Sequence, residues 1–259
     1  MKKAVFFDID GTLWNDKMQI PKSTKAAIRA LREAGNYAFL CSGRSKSNIR
    51  TKELLEIGFD GVVAACGTHI EFQGEKVFEK LLSKEQITHA LAVIKKYHML
   101  AVLEGPQYLY VDEGDFCEAP YVIYLRKELG EDVLPIEGNT DFEINKLSID
   151  LKGANLELAL EELQEEFDVI VHSDWLIEIL PKGYSKATGI ERICKLLDIK
   201  QTDTYAFGDS PNDLEMLAYV AHGIAMGNAS KETKQVAEFV TTDIMEDGIQ
   251  VGLKHYGLI

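Results

Sequence analysis

The sequence predicts an α/β protein built on a parallel sheet, with a smaller α+β module inserted into it. Three observations carry this expectation. Short uninterrupted apolar runs at residues 4–7, 37–41, 62–65 and 205–207 each end at small or polar residues, as strands covered on both faces do. Segments of helical period follow the early runs, and strand, helix, strand at this spacing calls for right-handed crossovers between parallel strands. The middle of the chain instead reads as helices beside hairpins.

In order, residues 4–7 form the first strand, and Asp8 follows it directly. Residues 23–34 form a helix in which Ala27, Ile28, Leu31 and Ala34 share a face. Ser23 is placed to cap its start and Gly35 to end it. From residue 83 the pattern changes: Ser83-x-x-Gln86 is a capping box opening a helix to about Tyr97. Residues 99–103 and 108–111, joined by Glu104-Gly105-Pro106-Gln107, read as a hairpin. Residues 144–151 alternate apolar and polar, 154–167 read as an acidic amphipathic helix, and 169–171 with 176–180 read as a second hairpin. Such a module is expected to keep one solvated face. The parallel-type pattern resumes at Ser185, so residues 83–180 are read as an insert in a domain formed by 1–82 and 181–259.

A chain of 259 residues, 46% hydrophobic and 27% charged, can bury a core without disulfide or metal staples. Twenty-eight Lys and Arg against 42 Asp and Glu give a net charge of −14, which repels the phosphate backbone of nucleic acid and argues against such a partner. Charge arrives too soon after residues 4–7 for a signal peptide, and no apolar run approaches the ~18 residues of a membrane span. A cytoplasmic location with no membrane partner is expected. Cys41, Cys66, Cys117 and Cys194 are scattered with no CxxC pair, which fits free thiols in a reducing compartment. The six histidines form no spaced ligand set, so zinc is not expected. No motif encodes an oligomeric state.

The densest chemistry lies in Asp8-Ile9-Asp10-Gly11-Thr12-Leu13. Two carboxylates at i and i+2 at the end of a buried strand project to one side, where open α/β sheets place their ligands. Like charges this close repel unless a cation or proton separates them, and Mg²⁺ prefers such hard oxygens. Acidic caps of the next helix are the plainer reading of the same residues. A second cluster, Gly208-Asp209-Ser210-Pro211-Asn212-Asp213, follows the run at 205–207; Pro211 suits a first helical turn, and simple capping by Asp209 is its plainer reading. Ser42-Gly43-Arg44 offers a hydroxyl and a flexible backbone to an anion, or merely a capped turn. Lys186 stands at a helix start, where a cation opposes the helix dipole and so hints at an anionic neighbour. Trp14, close behind the first cluster, either touches substrate or packs.

These four pieces, in this order, resemble the four motifs of the haloacid-dehalogenase-like (HAD) phosphatase superfamily. The resemblance implies a Rossmann-like parallel-sheet HAD core with an inserted α+β cap of the type-2 (C2B) kind found in the Cof-like subgroup. It further implies Mg²⁺-dependent hydrolysis of a small phosphorylated metabolite, a sugar phosphate or cofactor phosphate, through an aspartyl-phosphate. Asp8 is then the nucleophile and Asp10 the general acid and base. Mg²⁺ is held by the Asp8 carboxylate, the Asp10 carbonyl and the Asp209 carboxylate. Ser42, Gly43, Lys186 and Asn212 cradle the phosphoryl oxygens. Asp213 orients Lys186 or a metal-bound water, and Arg44 braces its loop or reaches substrate. One departure stands out: the family usually has Asn-Gly after its third strand, and this chain has Cys66-Gly67, which weakens any expectation of substrate contact there. The alternatives are a phosphotransferase or mutase of the same fold and, from another class, a non-catalytic phospho-ligand sensor. The sensor has no need of both Asp8 and Asp10.

Overall fold

A computed structural model describes residues 2–114 and 118–259. The chain begins with β1 (Ala4–Phe7), α1 (Lys22–Glu33), β2 (Tyr37–Cys41), α2 (Lys52–Leu55), β3 (Gly61–Ala64), β4 (His69–Phe72) and β5 (Glu75–Glu79). It continues through α3 (Lys84–Lys96), β6 (Leu100–Glu104), β7 (Leu109–Val111), α4 (Pro120–Leu129), β8 (Val133–Pro135), β9 (Lys146–Asp150), α5 (Leu156–Leu163), β10 (Phe167–Val171) and β11 (Leu176–Pro181). It ends with α6 (Lys186–Leu197), β12 (Thr204–Gly208), α7 (Leu214–Tyr219), β13 (His222–Ala225), α8 (Lys231–Val236), β14 (Phe239–Val240) and α9 (Gly248–His255). Two compact units result. One comprises Met1–Gly43, Arg50–Phe78 and Ser185–Ile259, and the other Arg44–Ile49 and Glu79–Tyr184.

The first unit is built on an eight-stranded sheet in the order β14-β13-β12-β1-β2-β3-β4-β5. The strands from β14 to β3 run parallel, and β4 returns antiparallel to β3. From β1 the chain moves outward through β2 and β3, then returns to place β12 on β1's other flank. That makes the carboxyl ends of β1 and β12 the topological switch point, where such sheets bind ligands. Register aligns those ends: Phe7 lies opposite Phe207 and Leu40, with the Phe7 and Phe207 rings stacked at 5.2 Å. Continuous burial of β1, β12 and most of β2 explains their uninterrupted apolar runs. The edge formed by β4 and β5 escaped the apolar-run pattern because β4 is only half buried and β5 is polar and largely exposed. Helix α1 buries Ala27, Ile28 and Leu31 as its period requires, but it starts at Lys22 after Pro21. Ser23 therefore lies inside the first turn rather than capping it, and Ala34 is the exposed C-terminal cap residue, off the buried face.

The second unit carries a six-stranded sheet, β10-β11-β9-β6-β7-β8. Both expected hairpins form, β6 with β7 and β10 with β11. Ser83 caps α3 through the expected box with Gln86. Leu103, Leu147, Ile149, Ile177 and Ile179 face a core shared with Ile87 and Val93 of α3 and Ala159 and Leu163 of α5. The expectation of one solvated face needs correction. On the opposite side Leu100, Val102, Leu109 and Val111 pack against Val122 and Leu125 of α4, a helix the sequence pattern did not announce, and Lys146 and Ser148 of β9 are buried. Helix α5 is also shorter than expected, because Phe167 is recruited into β10.

Cys41, Cys66 and Cys194 are free thiols; Cys117 lies outside the described residues. Among the described residues no helix is long and apolar enough to cross a membrane.

Candidate active site

Asp8 follows β1 and is 4% exposed. Its amide donates to the Phe207 carbonyl at 3.0 Å, which extends the β1–β12 ladder by one step into the loop. The chain then winds tightly: the amides of Thr12, Leu13 and Trp14 all reach the Ile9 carbonyl, and Gly11 N–H donates to the Trp14 carbonyl at 3.0 Å. Gly11 sits at φ +82°, a conformation open to glycine at little cost. The exposed Asp10 carboxylate accepts the Trp14 indole N–H at 2.9 Å.

Asp209 follows β12 on the neighbouring strand end. Its Oδ1 accepts from Thr12 Oγ1 at 2.8 Å, fastening the two acidic loops to one another. Pro211 opens the short 3-10 turn that ends at Asp213. Asp213 is fully buried: its Oδ2 accepts from the amides of Asp209 and Ser210 at 2.9 and 3.1 Å, and its Oδ1 accepts from Lys186 Nζ at 2.6 Å. Lys186 opens α6 behind a Ser185–Thr188 capping box and is 1% exposed. Its ammonium also donates to Asp8 Oδ1 at 2.6 Å and to Asn212 Oδ1 at 3.1 Å. These three bonds match the three donors of a lysine. Asn212 Oδ1 also accepts from Ser210 Oγ at 2.8 Å, so the Asn212 amide nitrogen is the end left to donate elsewhere.

Asp8 and Asp213 thus share one ammonium, and one oxygen from each of Asp8, Asp209 and Asp213 lies within 4.8 Å of the others, three carboxylates against a single cation. The imbalance governs the electrostatics. Burial pushes Asp8 well above the usual carboxylate range, and Asp213, Asp209 and Asp10 push the same way against Lys186. Burial and then Asp213 lift Asp209 to about 7 against the Thr12 hydrogen bond. Burial alone would lower Lys186, but Asp213 and Asp8 outweigh it and keep the ammonium charged. A site with surplus negative charge and hard oxygen donors suits a divalent cation. Both Asp213 oxygens already have donors, so Asp8 and Asp209 are the side chains better free to hold one, and Asp213 fastens Lys186.

Ser42 and Gly43 follow β2 and are buried. The Ser42 amide donates to the Val63 carbonyl at 2.9 Å, and the Ser42 carbonyl accepts from the Cys66 amide at 3.1 Å. The loop after β3 is therefore tied to the Ser42 turn. Cys66 itself is 1% exposed and left-handed at φ 50°, where asparagine is among the residues most at home. A Cβ on Gly67 would lie 2.4 Å from the Ser185 carbonyl, so position 67 is kept bare to admit the start of α6 and with it Lys186. The Cys66 departure thus falls at a buried backbone pivot. Arg44 Nη1 lies 3.5 Å from Asn48 Oδ1, within its own loop.

Two residues to which the sequence assigned no role, Thr12 and Asn228, emerge with the site, and Trp14, left open between substrate contact and packing, takes a definite place in it. Thr12 holds Asp209. Trp14 is 2% exposed and holds Asp10 rather than standing free for substrate; its i+4 spacing from Asp10 was the available signal. Asn228 donates to the Gly11 carbonyl at 2.7 Å from 217 positions away, and no local pattern could have located it.

Comparisons with known proteins point to one family. Residues 5–253 match the family model of the haloacid dehalogenase-like hydrolases. The Bacillus subtilis protein named "Putative phosphatase YkrA" is 33% identical over 264 residues, covering 99% of this chain and 98% of that one. The B. subtilis 5-amino-6-(5-phospho-D-ribitylamino)uracil phosphatase YwtE is 28% identical, covering 95% of each chain. The solved structure of the HAD subclass IIB sugar phosphatase BT4131 superposes with a TM-score of 0.85 at 26% identity over the full length of both chains. With acidic loops at the switch point and a family match spanning nearly its whole length, the chain belongs to the haloacid dehalogenase-like hydrolases and is an enzyme of their phosphatase type.

Proposed function

We propose that this enzyme is a Mg²⁺-dependent phosphatase of small phosphorylated metabolites, sugar phosphates or cofactor phosphates, working through an aspartyl-phosphate on Asp8. The observation that carries the reading is the Lys186 ammonium bound at 2.6 Å to both Asp8 and Asp213 beside Asp209. One Asp8 oxygen is thereby anchored, which leaves the other to attack phosphorus. As the new O–P bond forms, the bond to the leaving alkoxide breaks and Asp10 delivers its proton. Water then attacks the aspartyl-phosphate, Asp10 takes the proton from that water, and Asp8 is released with inorganic phosphate. The Trp14 indole holds Asp10 in place for both transfers.

Asp8, the Asp10 main-chain carbonyl and Asp209 would hold Mg²⁺, which supplies positive charge between the anionic nucleophile and the anionic substrate. Ser42, the Gly43 amide, Lys186 and the Asn212 amide nitrogen cradle the phosphoryl oxygens. In this reading residues 1–82 and 181–259 carry the chemistry and 83–180 set specificity, in the cytoplasm. The names of YwtE and BT4131 make 5-amino-6-(5-phospho-D-ribitylamino)uracil and sugar phosphates the first substrates to try. Phosphate release from an aryl phosphate and from a metabolite panel, with Mg²⁺ and with EDTA, tests the proposal. Release from several substrates that EDTA abolishes is expected; no release from any of them in Mg²⁺ overturns it.

A further inference from the structure

The segment Arg44–Ile49 directly follows the Ser42–Gly43 turn, yet it folds with the second unit. Two hydrogen bonds help to bind it there. The Ser45 amide donates to Glu104 Oε2 at 3.4 Å, and Ser47 Oγ donates to the Gly105 carbonyl at 2.7 Å. Ser45, Ser47 and Glu104 are 0%, 2% and 3% exposed. The other oxygen of Glu104 is held by the sheet: Oε1 accepts from Ser148 Oγ at 2.5 Å and lies 3.5 Å from Lys146 Nζ. Lys146, 1% exposed, pairs in turn with Glu178, which faces His172 at 3.3 Å.

A buried ion pair is a poor stability device, since apolar residues of similar volume in its place are often neutral or better. Leu100 and Val102, earlier on the same strand and face, are packed in that apolar way. Placing charge at Glu104 therefore calls for a role that charge alone fills. A carboxylate offers acceptors on both oxygens, and here one is locked to β9 while the other takes a backbone N–H of the loop. We propose that Glu104 is a positioning residue for phosphate binding: with Lys146 and Ser148 behind it, it fixes the backbone three residues beyond Ser42 and so holds the Ser42–Gly43 donors in their binding conformation. The inference rests on the reading of Ser42 and Gly43 as phosphate ligands.

The test uses the full chain and four variants: Glu104→Ala, Ser45→Pro, Ser45→Ala and the double variant Glu104→Ala/Ser45→Pro. Ser45 sits at φ −63°, which proline adopts, so Ser45→Pro deletes the N–H while Ser45→Ala deletes only the hydroxyl. The Kd for inorganic phosphate is measured by calorimetry, with KM and kcat for an aryl phosphate and thermal melting of each variant. Glu104→Ala and Ser45→Pro are each expected to raise Kd and KM about tenfold, or ~1.4 kcal/mol, with kcat changed less than KM. Ser45→Ala should change Kd less than threefold, and the double variant should bind phosphate as weakly as Ser45→Pro alone, because both delete one interaction. A folded Glu104→Ala variant whose phosphate Kd stays within twofold of wild type overturns the proposal, as do multiplicative effects in the double variant. Should Glu104→Ala not fold, an unchanged Kd in Ser45→Pro overturns it alone. Wild-type protein that binds phosphate but never hydrolyses the aryl ester would instead count against the phosphatase reading, and the Kd comparison would still decide the role of Glu104.

Discussion

Asp209 occupies the space that a side chain at Gly11 would need: a Cβ built on Gly11 falls 2.2 Å from Asp209 Oδ2. The two acidic loops therefore approach each other only because position 11 is bare. Gly11→Ala should displace the Asp209 carboxylate and also strain a backbone at φ +82°, at a cost of about 1–2 kcal/mol for the backbone alone. Phosphate release should fall by roughly a hundredfold or more, with a higher Mg²⁺ requirement and a lower melting temperature. Wild-type Mg²⁺ dependence in the folded variant would show that Asp209 is not where the cation binds.

Asp8→Asn keeps the shape of the buried side chain and its contact with Lys186, but an amide cannot attack phosphorus. Turnover should drop by a thousandfold or so, even on activated aryl phosphates. A folded variant retaining a tenth of wild-type activity would remove Asp8 from the role of nucleophile.

Trp14→Phe preserves a buried ring but deletes the N–H held by Asp10. Loss of one hydrogen bond to a charged group is expected to cost about 1.5–3 kcal/mol in the step that uses it. The rate should fall about tenfold or more for alkyl phosphates, whose leaving groups need a proton, and less for aryl phosphates. Equal losses on both ester types would assign Trp14 a packing role alone.

Lys186→Met leaves Asp8 and Asp213 buried without their cation. Removing one partner of a buried pair typically costs about 3–5 kcal/mol, so the denaturation midpoint should fall markedly. Added Mg²⁺ should restore part of the loss by supplying positive charge at Asp8. Unchanged stability would mean that the cluster neutralises itself by taking up protons.

The second unit should carry its own acid sensitivity. Burial would raise Glu178, but Lys146 and then His172 overcome it and hold it at about 2, against an ordinary 4.5. Because the folded value is the lower one, ionised Glu178 contributes stability above pH 4.5 that is lost as pH falls toward 2. Urea unfolding between pH 6 and pH 2 should show a steeper loss in wild type than in Glu178→Gln. Parallel curves would contradict the pairing.

The sequence by itself determined the parts whose causes are local. Continuous apolar runs mark strands buried on both faces, the i and i+2 carboxylates of Asp8 and Asp10 mark a strand end, and Ser83 with Gln86 marks a helix start; each depends on a few adjacent residues. Helix α4 and the edge strands β4 and β5 were illegible because their burial is partial and their period correspondingly faint. Only the tertiary structure decided what those parts meet. Lys186 reaches Asp8 across 178 positions, and Thr12 reaches Asp209 across 197. Ser45 binds Glu104 rather than the strands that flank it in sequence. Such contacts follow from parallel strands aligning their carboxyl ends and from bare backbone at Gly11 and Gly67 allowing close approach. Pairing of that kind is set by which surfaces pack together, and residue order alone leaves no periodic trace of it.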